Sequence, residues 1–139
     1  MNNMNWTLTR ESFDCSTLEK DRMVFMGKLL SFDKEANIFK VAFKIENDLM
    51  RMEMQFNKNS CKIVEKYKDY NCDFTLTLEK KEKYCLTLNS GYHLFFITEA
   101  SLIKFDELEI ILKYNLYDES SKQVISFNEI KISGESKIC

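Results

Sequence analysis

The chain has 139 residues, a formal net charge of −2 and 45% hydrophobic residues; that length fits one domain, 1–139, in which roughly 68% of the unfolded chain's surface can be buried on folding. Lysines and glutamates are interspersed rather than grouped in blocks, which argues against a nucleic-acid-binding domain whose affinity rests on neutralising phosphates. No segment reaches the roughly 20 apolar residues of a membrane-spanning helix. Met1–Trp6 lacks the basic start and long apolar run of a secretory signal. The expectation is a soluble, cytoplasmic protein with neither a membrane nor a nucleic acid as partner.

Eleven Phe and six Tyr accompany no Pro and three Gly. Aromatic and branched residues fit pleated surfaces better than helices, and turns must rest on Asn, Asp, Ser and Lys, which bond to their own backbone. Five cysteines, at 15, 61, 72, 85 and 139, are an odd number without a CxxC pair. That predicts reduced thiols rather than a disulfide framework or a zinc site.

In chain order, residues 4–13 alternate Met4, Trp6 and Leu8 against Asn5, Thr7 and Thr9, a first strand with Trp6 as core anchor. Asp14–Arg22 is polar and reads as a loop. MVFMGKLLSF is a strand with Gly27 at a bend or a close backbone approach. NIFKVAFKI sets Phe39, Val41, Phe43 and Ile45 against Lys40 and Lys44, and LMRMEMQF sets Met50, Met52, Met54 and Phe56 against Arg51, Glu53 and Gln55. Cys61 and Ile63 mark a shorter strand. CDFTLTLEKKEKYCLTLNSG is a hairpin with Phe74, Leu76 and Leu78 facing Tyr84, Leu86 and Leu88. From Gly91 three strands follow; the middle one has Leu108, Ile110, Leu112, Tyr114 and Leu116 on its dry parity. In the last, Ile125 and Phe127 hold one parity and Ile130 and Ile132 the other, which predicts a bulge near Asn128.

About ten short strands with brief connections and no long helical pattern predict an all-β fold. Closure removes edges that would pair with other molecules, so the expected architecture is a single up-and-down antiparallel β-barrel of about 8–10 strands. The stretch Asn89–Ile132 resembles the uncharacterised bacterial YwiB-like proteins: a turn glycine (Gly91), an apolar strand ending at Thr98 and Glu99, an acidic turn (Asp106, Glu107), and the spacing of LEIILKYNL. Gly27 also matches a glycine of that family. The resemblance implies a calycin-like, lipocalin-like barrel of unknown function in the cytoplasm, and no known activity. Where the family carries an arginine near a glycine, this chain has Glu65, Lys66 and Tyr67, and its Pro-Tyr-Gly-like turn is Asn89, Ser90 and Gly91. A lipocalin would have a glycine two residues before the early tryptophan, where Met4 stands.

No catalytic, metal or phosphate signature stands out, so the expected protein is not an enzyme and carries no cofactor. His93 and Cys85 on neighbouring strands are the one candidate base and nucleophile, and a strand-end histidine with a buried thiol is the plainer reading. Glu107 and Glu109, two apart, read as a solvated outer face. Arg51, out of phase with the methionines, reads as a surface ion pair with Glu53; turned inward it would hook a ligand carboxylate. Methionine adapts to varied apolar shapes. A wall of Met50, Met52 and Met54, with Trp6, Phe39, Phe43, Phe74 and Phe96, is therefore the candidate lining for a small apolar or amphipathic ligand. The alternative is a filled barrel acting as a homodimer through Phe95, Ile97 or Ile111.

Overall fold

Alternation of side chains across a strand forces one parity inward and the other outward, and here it closes a sheet on itself. The structure, a computed structural model, describes residues 5–135. The strands are β1 (Asn5–Asp14), β2 (Lys20–Asp33), β3 (Ile38–Ile45), β4 (Asp48–Phe56), β5 (Ser60–Lys66), β6 (Tyr70–Thr77), β7 (Lys81–Leu88), β8 (His93–Phe105), β9 (Glu109–Asp118) and β10 (Val124–Glu135). Each pairs antiparallel with the next, and β1 pairs with β10 from Asn5 opposite Glu135 to Asp14 opposite Ser126, giving a closed ten-stranded up-and-down barrel. No helix among the described residues is long and apolar enough to cross a membrane.

Most of the interior is apolar, and charged side chains are interspersed on the outward parity. Trp6, Leu8, Phe39, Val41, Phe43, Met50, Met52, Met54, Ile63, Leu76, Ile110, Leu112, Ile130 and Ile132 all belong to one buried cluster. Gly27 permits the close approach its position suggested. It pairs with Trp6 on one side and Phe43 on the other, and a Cβ there would lie 2.1 Å from the Ala42 carbonyl oxygen and 2.6 Å from the Phe43 ring.

Three bulges keep the long strands in phase with the curvature. In β2, Leu29 and Ser31 face the adjacent residues Val41 and Lys40, leaving Leu30 unpaired; in β8 the extra residue is Ser101, and in β10 it is Ile125. Each insertion flips the parity beyond it, which is how Phe32 and Phe105 reach the interior to meet at 5.5 Å between ring centroids.

Several sequence expectations are corrected. The polar stretch 14–22 is a loop only from Cys15 to Glu19: Asp14 Oδ1 accepts from the Ser16 and Thr17 backbone N–H groups, and β2 already begins at Lys20. The β10 bulge falls at Ile125 rather than near Asn128, so Phe127 points outward, 48% exposed, and stacks on Phe13. Leu108 lies in the turn before β9, exposed, because Asp106 Oδ1 caps the Leu108 and Glu109 amides. Met4 and Cys139 lie outside the described residues.

Candidate functional site

Along β1 the inward parity runs Trp6, Leu8, Arg10, Ser12. The first two are buried completely, so the same period that anchors the tryptophan drives an arginine into the barrel. Along β5 the inward parity runs Cys61, Ile63, Glu65, and the carboxylate is 2% exposed. The two strands lie on different sides of the barrel, and Arg10 Nη2 spans the interior to pair with Glu65 Oε1. Arg10 keeps 24% exposure. A buried carboxylate carries a large desolvation cost unless it is paired and hydrogen-bonded.

Other groups complete the Glu65 environment. The Tyr70 hydroxyl lies 3.4 Å from Glu65 Oε2 and 3.4 Å from Met50 Sδ; the Cys72 thiol lies 3.5 Å from the same Oε2; Arg10 Nη2 is 3.9 Å from Met50 Sδ. Tyr84 and Tyr114 flank Phe74, with ring centroids at 4.4 and 6.2 Å. Burial raises the pKa of Tyr70, Cys72, Tyr84 and Tyr114 above their ordinary values, and the Arg10 charge opposes that rise in all four without overcoming it. The site is therefore one ion pair ringed by protonated hydroxyls and a thiol, all able to donate hydrogen bonds.

Arg10 opens onto a pocket of about 160 Å³ that it lines with Ser12, Asp21, Met23, Tyr114, Asn128 and Ile130, among others. Ser12 faces Asn128 in register, and Asn128 Nδ2 donates to Ser126 Oγ at 2.9 Å. At the opposite end of the interior the rings are packed in series: Trp6 to Phe39 at 5.1 Å, Phe39 to Phe32 at 6.1 Å, Phe32 to Phe105 at 5.5 Å, and Phe105 stacked on Phe56 at 4.1 Å.

The residues read from the sequence as a ligand lining divide between these two ends. Trp6, Phe39, Phe43, Met52 and Met54 are sealed in the core at 0–1% exposure. Met50 and Phe74 are buried but border the ion pair and its tyrosines, and Phe96 is half-buried beside Tyr84 at 5.9 Å. Arg51 points outward, yet Glu53 pairs with Lys40 at 3.4 Å rather than with Arg51. Glu107 is not on a strand face: it lies in the turn and pairs with Lys34, while Glu109 pairs with Lys104 and Lys131. On the outer face of β7 and β8, Thr87 Oγ1 stands between His93 Nδ1 at 3.0 Å and Cys85 Sγ at 3.9 Å, so the histidine and thiol meet through a hydroxyl.

Sequence reasoning missed Arg10 and singled out Glu65 only as a departure from the YwiB-like pattern. The signal was present: each is a charged residue in phase with a dry stripe, a placement that demands a partner.

A closed antiparallel barrel with an ion pair buried beneath one mouth is the class that fold and site define. Neither a family model nor a curated protein matches the chain. Among solved structures, the crystal structure of the ywiB protein from Bacillus subtilis is similar in fold, with a TM-score of 0.67 over 97% of this chain and 92% of that one at 9% sequence identity. The likeness is one of fold.

Proposed function

We propose that the protein is a non-enzymatic binding module of the cytoplasm, a calycin-like barrel that holds a small amphipathic molecule at its polar mouth with the ligand's anionic group on Arg10. The observation that carries this reading is the inward guanidinium, fixed by a buried Glu65 and still open to solvent. A planar fork of donors recognises carboxylate or phosphate in two-point fashion, and Glu65 pre-sets its orientation. The pocket of about 160 Å³ is smaller than the roughly 300–1,000 Å³ of drug-sized sites. It suits a head group, with the apolar part of the ligand lying over the half-buried Leu86, Leu94, Phe96 and Leu116 on the inward parity of β7, β8 and β9. The free thiols among the described residues fit a reducing compartment.

Native mass spectrometry of protein purified gently from its own cells tests this. The expected result is a reproducible added mass that is lost on denaturation and is absent from the Arg10→Met/Glu65→Leu variant. No added mass, or one that survives the double substitution, overturns the reading. The same spectrum reports subunit number: a dimer without added mass favours the alternative of a filled-barrel interaction module, for which the 54% exposure of Phe95 speaks.

A further inference from the structure

The outer surface of β2–β5 carries a concentration of cations that the chain's slightly acidic total conceals. Lys28 on β2, Lys40 and Lys44 on β3, Arg51 on β4, and Lys62 and Lys66 on β5 are all exposed on the outward parity. On these faces the carboxylates are Glu53, engaged by Lys40, and the strand-end Asp33, which caps the following turn; at the start of β4 Asp48 pairs with Lys68 at 2.8 Å. Lys28, Ala42, Arg51 and Lys66 are successive register partners, a row crossing four strands and so about 14 Å long at the usual strand spacing. Ala42, only 6% exposed, leaves a dip in that row. Beside it a groove of about 450 Å³ is lined by Leu30, Lys40, Arg51, Glu53, Val64 and Lys66, with Leu30 at 55% exposure and Leu49 at 55% farther along β4.

We infer that this face docks an acidic, aliphatic segment of a protein partner in extended form. The cations set the sign of the partner and steer its approach. The exposed apolar side chains among them are aliphatic, whereas the strongly exposed aromatics Tyr92, Phe95 and Phe127 lie before or on β8 and β10. The face therefore offers no platform for stacking bases, on which single-stranded nucleic acid binding depends, while Leu30 and Val64 match aliphatic side chains. A closed barrel presents no strand edge, so the segment is held by side chains rather than by adding a strand. An extended chain lying edge-on along the groove sends alternate side chains to opposite flanks at about 6.6 Å intervals, so its carboxylates meet the row of Lys28, Arg51 and Lys66 while the intervening side chains lie over Leu30 and Val64 on the other flank.

The test is fluorescence anisotropy of the full chain with a labelled peptide of alternating Glu and Leu. Binding is expected at low salt, weakening as salt rises, and about tenfold or more weaker for the Arg51→Glu/Lys66→Glu variant. Arg10→Met/Glu65→Leu, altered inside the barrel, and Lys104→Glu/Lys131→Glu, altered on its other side, bind as the parent does. Polyglutamate of equal length binds at least several-fold more weakly. Absence of binding at low salt, equal loss in the Lys104→Glu/Lys131→Glu variant, or equal affinity for polyglutamate overturns the proposal. So does tighter binding of oligouridylate or of phosphatidylserine vesicles than of the peptide. Circular dichroism checks that each variant is folded, the interior Arg10→Met/Glu65→Leu variant included.

Discussion

The two ends of the barrel interior solve the same packing problem in opposite ways. At one end a series of rings from Trp6 to Phe56 fills the space, and Gly27 and Gly134 are required because neighbouring side chains and backbone occupy the places of their Cβ atoms. At the other end the interior holds a salt bridge, three tyrosines, a thiol and a small open pocket. The aromatic end is explained by packing, apart from the buried Trp6 Nε1, which has no hydrogen-bond partner among the described residues. The polar end is not, since a buried ion pair returns little more than its desolvation costs, and that asymmetry is what points to a site.

Substitutions sharpen the contrast. Phe39→Ala, in the aromatic end, is expected to lower unfolding free energy by about 3–5 kcal/mol in denaturant titration. Glu65→Ala leaves the Arg10 guanidinium unpartnered and is expected to cost about 2–3 kcal/mol, less than a fully buried pair because Arg10 retains partial exposure. Alkali acts on the polar end specifically. Tyr70, Tyr84, Tyr114 and Cys72 have folded pKa values raised by burial, so their contribution is complete below the unfolded values of 9.0 for the thiol and 10.0 for the phenols and is lost as pH rises through and beyond them. Thermal unfolding followed from pH 8 upward should show a melting temperature that starts to fall near pH 9, with a step of phenolate absorbance from Tyr70, Tyr84 and Tyr114 accompanying unfolding. Arg10→Met/Glu65→Leu should change stability by no more than about 1 kcal/mol, or raise it, while abolishing retention of the added mass. Should that double variant prove as damaging as Phe39→Ala, the polar end is structural. Smallest of all, Lys40→Ala/Glu53→Ala on the surface should shift stability by less than about 0.5 kcal/mol.

Most of the barrel was legible because period-two alternation is a direct record of which face is dry. The runs from Phe39 to Ile45 and from Met50 to Phe56 keep strict parity, and their strands follow it to within a residue. Register was harder. A bulge shifts phase by one residue without a distinctive side chain, so Ile125 and Asn128 are equivalent bulge positions in the sequence, and the pairing of Val124 with Tyr117 and Ser126 with Leu116 decides for Ile125. The candidate site was half legible. The inward parity of Arg10 and Glu65 can be read from their own strands, but their meeting depends on barrel closure, which brings together residues 55 positions apart. The methionine wall shows the converse: its inward direction was readable, whereas the packing that seals Met52 and Met54 is a property of every strand opposite them.

Nine of the ten strand pairings join consecutive strands, and only the β1–β10 seam joins the two ends of the described chain. A succession of hairpins can form one after another from local contacts, each closing a short loop, while the seam must wait for the loop that encloses the whole sheet. Seam closure then follows the rate-limiting step. Seam substitutions such as Ile132→Ala should accelerate unfolding with little effect on the folding rate, whereas hairpin substitutions such as Phe74→Ala should slow folding. The strand that carries Arg10 belongs to that seam, so the guanidinium reaches Glu65 only in the last step by which the molecule becomes itself.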